Sequence, residues 1–322
     1  MIHKTVLLKQ LVEGLTLKGN KVIIDCTLGA GGHSKEILKD LKAGTLVCFD
    51  LSFNAIDNFC KYLTKEGYVV KEEKESVITL VKGDLTVHLV SKNFVNLKEE
   101  LLKLEINSVD GVIADLGWSS DELVDIEGLS YETDIEAFLD MRFDKTLGVT
   151  AADLLNGLGR SELSKMFERY GDVYGKSNQN LVGEVISFRK KGPISKVRDL
   201  KLIIDRSFKF KQGNRFQKSE VYKTYSRVFQ SLRIAVNAEL TNLTSLMESA
   251  FELLNKKGAM GVITFHSGED KSIVPFLQSN LEEQKIEVTS KRGDELFIRP
   301  SVEEIKENVR SRSAKLYTYI KL

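Results

Sequence analysis

Four short runs of β-branched and apolar residues punctuate the chain: KVIIDC (21–26), TLVCFD (45–50), VDGVIAD (109–115) and GAMGVITF (258–265). Polar residues hardly interrupt them, which is the pattern of strands covered on both faces. Between the first two, HSKEILKDL sets Ile37, Leu38 and Leu41 at helical spacing, so residues 21–50 read as strand, helix, strand with parallel pairing. A doubly wound α/β sheet follows. More than 140 residues separate the third run from the fourth, and most carry charged, helix-like patterns. One crossover helix does not need that length, so the pattern predicts an inserted, mainly helical domain. We expect the sheet domain at 1–120 and 228–322 and the insert at 121–227. RVFQSLRIAVNAELTNLTSLMESAFELL (227–254) reads as one long amphipathic helix feeding the last strand. SVITLVKGDLTVHLV (76–90) reads as a hairpin around Gly83 and Asp84, and LYTYIKL (316–322) alternates like an edge strand.

Charge changes this picture in one respect. The 322 residues hold 47 Lys and Arg against 46 Asp and Glu, a net +1, which excludes a uniformly basic nucleic-acid coat protein. The balance is uneven along the chain. Residues 121–185 carry 14 acids and 6 bases, whereas residues 186–233 carry 14 bases and 3 acids, an excess of eleven positive charges. That excess points to phosphate contacts, with Lys190 and Lys191 among them and Arg310, Arg312 and Lys315 adding to it near the C-terminus. Phe188, Phe208, Phe210 and Phe216 interleave the basic segment and are candidates to stack on bases, although half of them or more suit the core of the insert. The three cysteines, Cys26, Cys48 and Cys60, form no CxxC pair, and no apolar run approaches the ~18 residues of a membrane span. With no signal-peptide pattern at the N-terminus, we expect a cytoplasmic protein without a membrane partner.

The chemistry concentrates where predicted strands end. DCTLGAGGHS (25–34) runs from a strand through a glycine-rich turn into a helix, so backbone can approach a ligand and the helix start can offer N–H groups. Asp50 ends the next strand, where an acid can accept both hydroxyls of a ribose. Together they indicate an adenosine-type cofactor. A dinucleotide fingerprint would need glycine where Ser34 stands, and no GK[ST] phosphate loop is present, which favours S-adenosylmethionine over NAD. Asp115 ends the third run beside the switch point of such a sheet, where an acid can accept a hydrogen bond from a target amine; a simple turn former is the bland alternative. In TFHSGEDK (264–271), His266 is a candidate base or hydrogen-bond donor. Ser267 with Asp270 at its third position reads as a helix cap, and Glu269 and Asp270 do not share a direction that suits a metal. No metal site is expected, because the other histidines, His3, His33 and His88, show no ligand spacing.

These segments, with SKNFVNL (91–97), VIADLGWSS (112–120), LDMRFD (139–144), TAADLLN (150–156), RVFQSLRIAVNAEL, GVITFHSGEDK and NVRSRSAKL (308–316), occur in the order seen in the bacterial 16S ribosomal RNA cytosine-N4 methyltransferase family, RsmH or MraW. HKTVLLKQLVEGL (3–15) resembles that family's opening, so the likeness spans essentially the whole chain. It implies a Rossmann-like methyltransferase sheet that uses S-adenosylmethionine, interrupted by a helical substrate-recognition insert. It also implies methylation of the N4 amine of decoding-centre cytosine 1402 in 16S rRNA of the small ribosomal subunit; the sequence leaves the oligomeric state open, a homodimer among the options. Carried over by motif, cofactor contacts fall on Gly31, Gly32, His33, Asp50, Phe94 and Asp115, and on Glu122, which stands where the family has glutamine; the glycine turn itself adds Gly29. Thr224, Tyr225 and Ser226 replace a usual Pro-Ala-Thr, Gly268 a leucine and Val309 a proline.

The expected reaction is in-line methyl transfer to an amine splayed out of the RNA, with Asp115 as its acceptor, Ser119 and Ser120 as neighbours and His266 closing the site. Two other classes fit the same motifs. One is a methyltransferase acting on another RNA or DNA amine, and the other is a non-catalytic relative that binds cofactor or RNA.

Overall fold

A computed structural model describes residues 4–15, 17–117, 126–132, 134–208 and 215–322, with side chains for all but 215–218. Contacts divide the chain into two compact units, Met1–Gly117 with Thr241–Leu322, and Trp118–Leu240. In chain order the first part holds α1 (Leu8–Glu13), β1 (Asn20–Asp25), α2 (Gly32–Asp40), β2 (Ala43–Phe49), α3 (Phe53–Lys65), β3 (Val69–Lys74), β4 (Val77–Lys82), β5 (Leu85–Val90), α4 (Leu97–Lys103) and β6 (Val109–Asp115). The second unit contributes α5 (Ala151–Gly157), α6 (Arg160–Gly171), α7 (Gly175–Arg189), α8 (Val197–Phe208) and α9 (Arg215–Asn237). The chain then returns through α10 (Glu239–Leu253), β7 (Leu254–Thr264), α11 (Ser267–Glu282), β8 (Ile286–Val288), α12 (Val302–Glu307) and β9 (Lys315–Lys321).

The strands form one sheet in the order β3-β4-β5-β2-β1-β6-β7-β9-β8. Its five central members, β5, β2, β1, β6 and β7, run parallel, as the unbroken apolar runs require. Successive residues of β1 serve opposite faces. Ile23 packs in a cluster with Leu11, Ile37, Phe59 and Leu63, while Ile24 joins Leu101, Leu246, Met247 and Leu277. Helices therefore cover both faces, and the sheet is doubly wound. Register lines up the carboxyl ends: Asp25 lies opposite Cys48 on β2 and Ile113 on β6, and Asp115 lies opposite Ile263 on β7. Strand order reverses at β1, since the chain goes from β1 to β2 on one side and later to β6 on the other. The gap between the ends of β1 and β6 is the switch point at which such sheets bind ligands.

Three elements depart from the sequence reading. The segment 227–254 is two helices, because Ala238 takes a left-handed conformation (φ 51°) between α9 and α10. Asn237 holds that break, donating to the carbonyls of Met141 (2.8 Å) and Arg233 (2.9 Å) and accepting from the Phe143 N–H (2.8 Å). As a result the second unit runs to Leu240, not to 227. The expected edge strand at 316–322 lies inside the sheet: β9 is flanked by β7 and β8, and Leu316, Tyr317 and Tyr319 are buried. The three-residue β8 takes the edge instead. The hairpin at 76–90 is present, with Lys82 opposite Leu85 across Gly83, and β3 extends it.

The second unit has its own core, in which Leu155, Phe167, Leu181, Val185, Leu200, Ile204, Val228 and Phe229 are buried together. Thr150 and Asp153 cap α5 reciprocally: the hydroxyl accepts from the Asp153 N–H (3.2 Å) and the carboxylate from the Thr150 N–H (2.9 Å).

Candidate active site at the strand ends

The candidate residues follow the carboxyl ends of five adjacent strands, β5, β2, β1, β6 and β7. After β1 the chain turns through Thr27 to Gly31 and enters α2. The Cys26 N–H donates to the Ile113 carbonyl (2.9 Å) and the Leu28 N–H to that of Phe49 (2.9 Å), so backbone bonds tie the turn to β6 and β2. Gly29 has φ 49°, and a side chain there would meet nothing within 4 Å, so open space lies beside it. Its N–H donates to Asp50 Oδ2 (2.7 Å), and Asp50 Oδ1 accepts from the Ser52 N–H (2.7 Å).

The next two glycines answer to a different constraint. A Cβ on Gly31 would fall 2.4 Å from the Phe59 ring, and one on Gly32 would fall 1.8 Å from Thr5 Oγ1. Protein side chains crowd the Cβ positions of 31 and 32, and Gly31 also has φ 74°; of the three glycines, Gly29 alone borders open space on that side.

His33 is buried in the first turn of α2. Its Nε2 lies 3.2 Å from the Val6 carbonyl oxygen, which can only accept, so Nε2 carries the hydrogen. The other nitrogen, Nδ1, faces Asp115 Oδ2 at 3.8 Å. Asp115 is fixed from the opposite side as well, because its N–H donates to Thr27 Oγ1 (2.7 Å) and its Oδ1 accepts from the Gly117 N–H (3.2 Å). Phe94 opens a 3₁₀ turn just past β5 and packs, partly buried, against the core. Gly29, His33, Asp50, Phe94 and Asp115 thus share the carboxyl edge of adjacent strands. Ser119, Ser120 and Glu122 lie outside the described residues.

His266 requires a correction. It caps α11 itself, its Nδ1 accepting from the N–H groups of Gly268 (3.2 Å) and Glu269 (3.4 Å), while the Glu269 carboxylate accepts from the Phe265 (2.7 Å) and His266 (3.2 Å) N–H groups. The capping pair is therefore His266 with Glu269, one position before the expected Ser267 with Asp270. With Nδ1 accepting, the hydrogen sits on Nε2 and the ring can donate but not act as a base there. Nε2 lies 3.1 Å from Glu269 Oε1 at an angle that makes no hydrogen bond, and it has no other hydrogen-bond partner among the described residues. Asp270 points elsewhere, accepting from Thr264 Oγ1 (2.7 Å) and the Tyr317 hydroxyl (3.0 Å) and pairing with Lys315. Lys315 is thereby a structural cation, and Glu269 and Asp270 do not converge.

Residues the motif reading passed over do much of the positioning. Asp25, buried beneath the turn, accepts from the Thr27 N–H (3.1 Å) and the Ser34 hydroxyl (2.7 Å), tying both ends of the glycine turn together. Burial raises its carboxyl from 3.8 to about 6, against the lowering effect of those two hydrogen bonds. An acid inside an otherwise apolar strand was the available signal.

The basic segment divides by partner. Arg189 Nη1 donates to the carbonyls of Leu155 (2.9 Å) and Leu158 (2.7 Å), Arg198 pairs with Glu136 (2.7 Å), and Lys201 donates to the Tyr131 carbonyl (2.8 Å). Lys190, Lys191 and Arg206 are exposed and have no such partner among the described residues. Phe188 and Phe208 pack against the core of the insert, which removes them as base platforms; Phe210 and the Phe216 side chain lie outside the described residues.

A glycine turn opening a helix, an acid closing the second strand and another acid at the switch point define an α/β domain that binds a nucleoside cofactor. A profile of the MraW methylase family matches residues 1–322, and the chain belongs to that family. It is 36% identical over 317 residues to a Dictyoglomus thermophilum protein named Ribosomal RNA small subunit methyltransferase H, covering 98% of this chain and 95% of that one. A protein of the same name from Mycoplasmopsis agalactiae is 34% identical over 325 residues, covering 99% of this chain and 98% of the relative. The protein is accordingly a methyltransferase, with S-adenosylmethionine as its methyl donor. The residues present fit that donor: Gly29 borders open space just past β1, and the Asp50 carboxylate, just past β2, holds its N–H.

Proposed function

We propose that the protein methylates the exocyclic N4 amine of a cytosine in 16S rRNA of the small ribosomal subunit, at the position numbered 1402. Asp115 carries this reading, because a carboxylate at the switch point is held by Thr27 on one side and faced by His33 Nδ1 on the other. The near full-length relatives that bear the small-subunit methyltransferase name support the choice of RNA.

Asp50 would hold the ribose hydroxyls of the donor, Gly29 would leave room for it, and Phe94 would pack on its base. Bound there, S-adenosylmethionine supplies a methyl on a positively charged sulfur. The N4 amine of cytosine is conjugated with its ring and is a weak nucleophile, so catalysis rests on positioning and on an acceptor that keeps its lone pair aimed. Asp115 accepts the amine N–H, and His33 stands behind it. The His266 Nε2–H, without a hydrogen-bond partner among the described residues, would donate to an acceptor on the base, and the motif alone adds Ser119, Ser120 and Glu122. Asp115, or water beside it, would take the proton that the amine sheds on methylation. The base is reached out of the helical stack. The enzyme acts in the cytoplasm, as a monomer or homodimer, with the small subunit as partner and the exposed cations of residues 186–233 on its phosphates. Among the described residues no helix is long and apolar enough to cross a membrane.

Asp115→Ala should lower methyl transfer to small subunits by at least about 100-fold while S-adenosylmethionine still binds by calorimetry. Near-normal turnover would overturn the assignment, and loss of donor binding would reassign Asp115 to the cofactor. Mass-spectrometric mapping of 16S rRNA from a deletion strain should show the target cytosine unmodified.

A further inference from the structure

The first unit ties its two chain ends together beside the glycine turn. Thr5 Oγ1 occupies the space that a Cβ on Gly32 would need, and Val6 and Leu7 are buried. From the far end of the chain, Glu304 of α12 accepts from the Leu7 N–H (2.7 Å), the Asn308 amide donates to the Lys4 carbonyl (2.9 Å), and Glu307 pairs with Lys4.

One peptide unit links the first of these contacts to His33. The Val6 carbonyl accepts from His33 Nε2–H (3.2 Å), and the Leu7 N–H that reaches Glu304 belongs to the same Val6–Leu7 peptide. A trans peptide is a rigid plane whose C=O and N–H point opposite ways, so gripping one end aims the other. Glu304 thereby sets the direction of the Val6 carbonyl, and its carboxylate on the N–H polarises that carbonyl as an acceptor. Left alone, the plane would turn. Leu7 has φ 50°, a left-handed conformation that is costly for a residue with a Cβ and persists only where its surroundings over-determine it. Here those surroundings are the Leu7 side chain, buried in one cluster with Val6 and Ile37, and the Glu304 carboxylate.

The other end of this series of contacts is Asp115. With its hydrogen on Nε2, His33 presents Nδ1 to Asp115 Oδ2 at 3.8 Å. In the opposite tautomer an Nδ1–H would donate to that oxygen and compete with the target amine for it. Asp115 itself draws the hydrogen toward Nδ1, so the Val6 carbonyl must hold it on Nε2 against a carboxylate.

We propose that Glu304 is a positioning residue for methyl transfer: through the Val6–Leu7 peptide it holds His33 in the Nε2–H tautomer and so keeps a competing N–H off Asp115. The inference rests on the reading of Asp115 as the amine's acceptor. Leu7 and Glu304 are 297 residues apart, so both chain ends must be docked before the tautomer is set.

The test compares two variants of the full chain on small subunits. Glu304→Gln keeps an oxygen within reach of the Leu7 N–H and removes the charge. Glu304→Asp keeps the charge in the first turn of α12 but is one methylene too short to reach. Nitrogen-15 NMR of labelled histidine, assigned with a His33→Asn variant, reports which ring nitrogen carries the hydrogen, and each variant is measured well below its melting temperature. Glu304→Asp should show His33 with hydrogen on Nδ1 in part and should lower kcat about ten- to a hundredfold, with KM for subunits little changed. Glu304→Gln should keep the wild-type tautomer and most of the kcat. A residue that merely stabilises α12 by its charge would give the reverse order, and that result overturns the proposal. So does an unchanged His33 signal in Glu304→Asp, or a changed signal with wild-type kcat. If Asp115→Ala turns over normally while Glu304→Asp still shifts the tautomer, the reading of Asp115 falls and takes the catalytic consequence with it.

Discussion

Asp25 in the sheet unit and Asp140 in the insert are both almost wholly buried, yet they titrate in opposite directions. Asp25 has only neutral company, the Thr27 N–H and the Ser34 hydroxyl, with the Cys48 thiol 3.2 Å from that hydroxyl. Burial wins, and its carboxyl rises to about 6. Asp140 suffers burial too, but it accepts from Arg142 Nε (2.7 Å), Arg142 Nη2 (3.1 Å) and Lys145 Nζ (2.7 Å), and these bring it down to about 2. The two regions use acids differently. Under the glycine turn an uncompensated acid orders a binding loop at a cost in stability, whereas in the insert a compensated acid holds the fold.

The contrast is most sharply broken by Asp140→Ala, which removes the acceptor of Arg142 Nε and Nη2 and should destabilise the insert by roughly 2 to 3 kcal/mol in urea unfolding. Asp25 gives a pH signature of the opposite sign. Its folded value lies above the unfolded 3.8, so its stabilising contribution is complete below that value and is lost as pH rises through about 6. Thermal melts should therefore show a cost of about 3 kcal/mol between pH 4 and pH 7, which Asp25→Asn removes. The Asp140 contribution is complete above pH 3.8 and is lost only as pH falls through about 2. If both acids shifted the melts in the same direction, the contrast would be wrong. Arg189→Ala, which frees the Leu155 and Leu158 carbonyls, should cost about 2 kcal/mol. Smallest in stability is the double change of Lys190 and Lys191 to Glu, under about 0.5 kcal/mol, although it should lower the slope of log affinity for RNA against log salt by about 2. An Arg189 variant that changes the salt slope more than the lysine pair does would show that the partner of a cation says nothing about its role.

The parallel strands were legible because each is a continuous apolar run, and the glycine turn because its neighbours are strand and helix. Position within the sheet was less legible. LYTYIKL alternates like an edge strand, and only the three-residue partner β8 places it inside. VVKEEK of β3 is fully exposed and carries no apolar face, so nothing in its pattern marks a strand. The break at Ala238 has no glycine or proline beside it; it comes from Asn237 reaching back to Met141 and Phe143, which no local pattern contains. At the site, residue types placed Asp50 and Asp115 correctly at strand ends. They missed that Phe59 and Thr5 crowd Gly31 and Gly32, and that His266 caps its own helix, because both facts depend on segments brought together only by folding.

The pairing of β6 with β7 joins Asp115 to Ile263 across the whole insert. Closing a flexible chain of that length costs about 4 kcal/mol of loop entropy, the largest such term in the central sheet. Local pairings such as β4 with β5 carry little of it. The β7 side of the switch point, with His266 at its end, is therefore the part of the active site formed at highest contact order, and refolding should recover the glycine turn before it recovers a complete catalytic pocket.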